Sequence, residues 1–220
     1  RRAMGEHSLE AALRELVFPD GGVLSRAPQQ LTELIALLST LRECYIARQE
    51  AVPDFLTDTL GRNVPALLGL THADGGLGAW QGCGHVASER IEALVQASGV
   101  RARPLRQALD WGYQRVSAGP AVLQVDAGPP PHAKQALVGC ASTLAFEFSF
   151  GKQRIVINCG GAGLAGASIP AALARGLRTT AAHSALCVDD SNSTALLAKG
   201  QLGAGVVDVE TVVRVLDDRD

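Results

Sequence analysis

Apolar residues at steps of three and four dominate the first hundred positions. In "HSLEAALRELVF" (7–18), Leu9, Leu13 and Leu16 share one helical face, and Ser8 is placed to cap the start. "PDGG" at 19–22 stops that helix. "APQQLTELIALLSTLRECYIARQ" predicts a long second helix with Leu31, Leu34, Ile35, Leu38, Leu41 and Tyr45 on its stripe, which favours core packing for Tyr45. "VPDFLTDTLGRNVPALLGLT" predicts a third, weakened by Gly61 and Pro65. "HADGGLGAWQGCG" is too rich in glycine for regular structure. "ASERIEALVQAS" predicts a short fourth helix beginning near Ala87 or Ser88.

The period then changes to two. "GYQRVSAG" and "PAVLQVDAG" read as strands joined at Gly119-Pro120. "GPPPHAK" is a connector. In "TLAFEFSFGKQRIVIN", Leu144, Phe146, Phe148 and Phe150 alternate with Ala145, Glu147 and Ser149, the pattern of a half-buried strand. "GKQ" turns it and "RIVIN" runs back. "SALCVDD" and "VVDVETVVRV" add two further expected strands. Helices first and strands afterwards predict an α+β protein with segregated layers, with a boundary at residues 104/105.

Composition narrows the classes. The chain has 220 residues, 47% hydrophobic and 19% charged, enough apolar material for a core and too little charge for disorder. Its net charge of −2, without charge blocks, argues against a nucleic-acid binder. No apolar run approaches the roughly 18 residues that span a bilayer. Five scattered cysteines lack a C-x-x-C pattern and do not read as a disulfide framework. The chain opens directly on amphipathic helix and Met4 is not its first residue, so it reads as a piece of a longer protein.

Gly161-x-Gly163-x-x-Gly166 fits a dinucleotide-binding turn, and Asp189 lies at a suitable distance for a ribose contact. Against it, the strand before the glycines is joined by a three-residue turn to an amphipathic strand, which predicts antiparallel pairing. The helix that should follow is interrupted by Pro170 and Gly176.

"DWGYQRVSAGPAVLQVDAGPPP", "STLAFEFSFGKQRIVINCGG" and "LRTTAAHSALCVDDSNST", with upstream "PDGGVLSRAPQQLTELIALL" and "HADGGLGAW", together resemble the heparinase II/III-like family of polysaccharide lyases. The resemblance implies the last helices of an (α/α) toroid over residues 1–104. It implies an antiparallel β-sandwich over 105–220. It further implies β-elimination on an acidic, uronate-containing polysaccharide, and a cell-envelope or periplasmic location. Elimination needs a group that neutralises the carboxylate, a base, and a proton donor for the leaving oxygen. A relative that keeps the fold but has lost part of this set, binding glycan without cleaving it, is the alternative.

The "TAAHS" match implies a site role for His183, catalytic or as a ligand. A structural zinc is implied on Cys140, Asn158 and His183. The family pattern is broken where a catalytic histidine falls on Val138, a histidine ligand on Cys140, an acidic ligand on Asn158, and a polar group on Val23. Among the other polar residues, Tyr113 is either a strand tyrosine or a catalytic phenol facing the cleft between layers. His72 and Asp74 lie in the glycine-rich loop, as substrate contacts or as turn residues. Trp80 could stack on a sugar or plug the interface. Arg26 and Arg178 could fork onto a substrate carboxylate.

Overall fold

The computed structural model describes residues 2–132, 138–163, 168–198 and 200–210. Four helices come first: α1 (Arg2–Leu16), α2 (Pro28–Ala47), α3 (Asp54–Gly69) and α4 (Ser88–Ser98). They are followed by a five-stranded sheet of β1 (Gln107–Ala108), β2 (Tyr113–Ala118), β3 (Ala121–Asp126), β4 (Phe146–Phe150) and β5 (Gln153–Val156). A short helix α5 (Ala171–Gly176), a 3-10 turn (Thr180–Ala182) and a hairpin of β6 (Thr194–Leu196) and β7 (Leu202–Gly205) complete the described chain.

The helical stripe packs as its period requires. Leu31, Ile35, Leu38 and Tyr45 of α2 are buried against Leu56, Leu60, Val64 and Leu67 of α3. Each buried leucine contributes about 1.5–3 kcal/mol relative to an exposed one. That burial carries α3 through Gly61 and Pro65, so the third helix is continuous. The carbonyl of Pro65 accepts the N–H of Leu105 (2.9 Å), which ties the helix to the connector before β1.

Two local expectations fail. Ser8 does not cap α1: it lies mid-helix, with its hydroxyl donating to the Met4 carbonyl (2.9 Å). Leu16, expected on the buried face, is exposed, while Leu13 is buried. The fourth helix starts where its sequence indicates, with Ala87 as the flanking residue and Gly99 ending it at φ +70°.

The sheet order is β1-β2-β3-β4-β5, antiparallel throughout. Gly119 and Gly151 take positive φ (54° and 56°) at the β2–β3 and β4–β5 turns. The turn between β4 and β5 pairs Phe150 with Gln153, as the "GKQ" reading requires. The segment "SALCVDD" forms turns with a single bridge, Val188 to Ser191, and not a strand. Residues 206–210 are likewise outside any strand, and 211–215 of the second expected strand lie outside the described residues. Polar and turn-forming residues from Asp189 to Ser193 defeat the first of these strands.

One face of the sheet covers the helical layer, and it is not the aromatic one. Gln124 and Asp126 of β3 and Glu147 and Ser149 of β4 are fully buried, whereas Phe146 and Phe150 are exposed. The period of two predicted by the sequence is present, with its polar half turned inward.

Candidate functional site

The inward polar groups form a seam between sheet and helical layer. At one end stands Glu147, both oxygens in use. Its Oε2 lies 2.7 Å from His72 Nε2, and its Oε1 accepts the backbone N–H groups of Ala79 (3.1 Å) and Asn158 (2.9 Å). The other nitrogen of His72 lies 2.9 Å from the Ser149 hydroxyl. His72 reaches the seam because the glycine-rich loop doubles back: its N–H donates to the Gly76 carbonyl (2.9 Å), and Thr71 and Leu77 bridge. Asp74 in the same loop forks with Arg154 of β5 at 2.8 and 3.0 Å. Burial opposes the charge of Asp74. The hydrogen bond from Arg154 and the N–H of Gly76 outweigh it and hold the carboxyl below its usual range.

At the other end stands Asp126. Its oxygens accept from Arg26 (2.6 Å), Gln81 (2.9 Å) and Ser142 (3.0 Å). Arg26 also donates to the carbonyls of Trp111 (2.7 Å) and Pro129 (2.8 Å). Burial works against its charge, but Asp126 raises the guanidinium above its ordinary pKa, so Arg26 stays charged. The guanidinium lies 4.7 Å over the ring of Tyr113, whose hydroxyl donates to the Arg26 carbonyl (2.9 Å). Burial pushes that phenol well above its usual pKa. Trp80, with rings 5.6 Å from Tyr113, is fully buried and donates to Gln124 (3.3 Å).

The structure therefore brings together Arg26, Tyr113, Trp80, His72 and Asn158, all sealed within one interface. In this arrangement Trp80 plugs the interface and presents no face to a sugar. The phenol of Tyr113 is held away from solvent, and Arg26 has its carboxylate inside the protein. The sequence reading passed over Gln81, Gln124, Asp126, Glu147 and Ser149, which form most of the seam. For the four on β3 and β4 the signal was polar side chains at alternate positions inside two strands, whereas Gln81 lies in the glycine-rich loop and had none.

His183 sits nearby, on the turn after Thr180–Ala182. Its Nδ1 lies 2.8 Å from the Thr179 carbonyl, and its Nε2 is buried without a hydrogen-bond partner among the described residues. Burial lowers its pKa, favouring neutral imidazole. Asn158 is engaged at both ends: its amide oxygen accepts the Ser184 N–H (2.8 Å), and its nitrogen faces the Phe146 carbonyl and Glu147 (both 3.4 Å). The Cys140 thiol is fully buried, and burial pushes its pKa up to about 12. These three donors do not fit the implied zinc, which needs a thiolate and ligand atoms not already engaged.

Gly161 and Gly163 do not open a nucleotide site. β5 is an antiparallel edge strand and α5 has only six residues, with Gly166 outside the described residues. The glycines admit close packing instead. A Cβ at Gly161 would stand 2.8 Å from Cys140 Sγ, and one at Gly160 would stand 2.1 Å from the Cys83 carbonyl.

A cavity of about 630 Å³ opens beside Val138, between α5 and the β6–β7 hairpin. Ala171, Ala174 and Leu196 line it, and its charged groups are Arg175 and Arg178. Arg178 donates to the carbonyls of Gly139 (2.6 Å) and Gly200 (2.5 Å), and Arg175 to that of Leu196 (2.9 Å). Neither His183 nor Tyr113 lines the cavity. Val23, where the resemblance expects a polar group, is packed in the core.

The model of the heparinase II/III-like C-terminal region matches residues 100–219. The chain belongs to the heparinase II/III-like family. FtsZ-localized protein C of Caulobacter vibrioides is 31% identical over 163 residues, covering 71% of this chain and 28% of that protein. Among solved structures, a heparinase III (the BT4657 gene product) superposes with a TM-score of 0.68 at 17% identity, over 84% of this chain and 32% of its own. Heparan sulfate lyase HepC from Pedobacter heparinus gives 0.65 at 16% identity, over 87% of this chain and 34% of its own. The chain thus spans about a third or less of each protein it matches, and the structural likenesses establish the heparinase-type fold.

Proposed function

We propose that this chain is part of a heparinase II/III-like protein that engages an acidic polysaccharide without cleaving it. The observation that carries the reading is the cavity beside Val138. It offers two guanidiniums and, among the described residues, neither a base nor a proton donor for elimination. A guanidinium fork can neutralise a uronate carboxylate, which is one of the three tasks that elimination needs. The sealing of Tyr113, His72 and Trp80 inside the seam supports the same reading. So does a relative whose name records localisation with FtsZ and no lyase activity. On this proposal residues 1–104 are the end of a helical toroid, 105–220 begin the sandwich, and the protein works at the cell envelope.

An active lyase is the second reading, favoured by His183, whose neutral imidazole with an open Nε2 has the protonation state of a general base. The two separate in one experiment. The purified protein is titrated calorimetrically with heparan sulfate, hyaluronan and alginate while ultraviolet absorbance of unsaturated uronate is followed. Binding without an absorbance rise, weakened about 3–10-fold by Arg175→Ala, is expected. A rise that His183→Ala abolishes establishes the lyase instead.

A further inference from the structure

We infer that this chain joins its helical layer, its sheet and the 183–184 segment without a metal, and that the Glu147 carboxylate performs the cross-linking that the family resemblance assigns to zinc on Cys140, Asn158 and His183.

Zinc takes four donors in structural sites, and each must have a lone pair to give. Asn158 offers only a neutral amide oxygen, a weak zinc ligand beside Cys, His or a carboxylate, and that oxygen already accepts the Ser184 N–H at 2.8 Å. The Cys140 sulfur is buried 3.7 Å from the carbonyl oxygens of Val138 and Gly160. Acceptors on two sides suit an S–H donor and repel a thiolate. Of the three candidates, His183 alone presents a nitrogen lone pair without a hydrogen-bond partner among the described residues, and one strong ligand does not make a zinc site. Among the described residues no group of three or more His, Cys, Asp or Glu converges as a metal site.

The mechanical task of a metal is nonetheless performed. Through its two oxygens, Glu147 holds His72 and Ala79 of the glycine-rich loop and the backbone of Asn158 at the end of β5. Asn158 then holds Ser184, next to His183. One buried carboxylate on β4 therefore ties its strand to the glycine-rich loop and to the segment after β5, and through Asn158 to the 183–184 segment. A buried side chain so surrounded is costly to remove, because each of its partners is then left buried and unsatisfied.

The test loads the purified protein with zinc, removes excess by gel filtration, and measures bound metal and thermal midpoint with and without chelator. Zinc well below one per chain and a midpoint indifferent to chelator are expected. One zinc per chain, with a midpoint that falls on chelation, overturns the inference. In a second arm Glu147→Gln is expected to lower the midpoint by roughly 6–20 °C, with no recovery on adding zinc. An unchanged midpoint in Glu147→Gln overturns the role given to the carboxylate. Both readouts are independent of glycan binding.

Discussion

Between residues 145 and 150 the two faces of one strand have opposite fates. Ala145, Glu147 and Ser149 are wholly buried against the helical layer, while Phe146 and Phe150 on the other face are 39% and 56% exposed. Ile155 continues the exposed apolar face on β5 at 61%. The inner face is held by directional hydrogen bonds among polar groups, which demand one register between sheet and helices. The outer face has apolar area without such demands. Stability at the interface is therefore concentrated in a few polar residues, where a larger apolar core would spread it over many contacts.

Arg26→Met tests the inner face most severely. It leaves Asp126 buried without its cation and is expected to cost about 3–5 kcal/mol, read from urea denaturation. Adding Asp126→Leu should restore part of that loss, because the pair is then replaced by apolar groups. A smaller effect is expected from pH. The folded pKa of His183 is depressed by burial, so its neutral form belongs to the folded state. The unfolded chain binds more protons, and stability is whole above about pH 6.5 and declines as pH falls through the folded pKa. His183→Gln should flatten that acid limb of a midpoint-versus-pH curve. The smallest effect is expected on the outer face: Phe150→Thr should change stability by less than about 0.5 kcal/mol in the same denaturation experiment. A cost comparable to Arg26→Met would show that the aromatic face carries the load.

Much of the architecture could be read directly. The stripe from Leu31 to Tyr45 marked a buried helix because a period of 3.6 with consistently large apolar residues has few other uses. The turn at Gly151 marked an antiparallel ribbon, which argued against the dinucleotide turn even though its glycines were present, and the antiparallel β5 and six-residue α5 then removed it. The site was far less legible. Glu147 is recognised as a hub only through His72, 75 positions earlier in the chain. Asp126 is recognised only through Arg26, separated from it by 100 positions. Tyr113 and Trp80 looked equally suited to an open cleft or a plug, since both types have an apolar body and a polar tip. Ser8 failed as a cap because a serine hydroxyl bonds a carbonyl one turn back as readily as it caps an end.

Local order along the chain was enough to specify four helices, an antiparallel sheet and the turns between them, because periodicity and glycine conformations act over a few residues. Which face of that sheet turned inward was settled by the loop carrying His72 and Trp80 and by Arg26. Their partners can be assembled only when distant segments meet, and burying Glu147 and Asp126 is tolerable only once every one of those partners is in place.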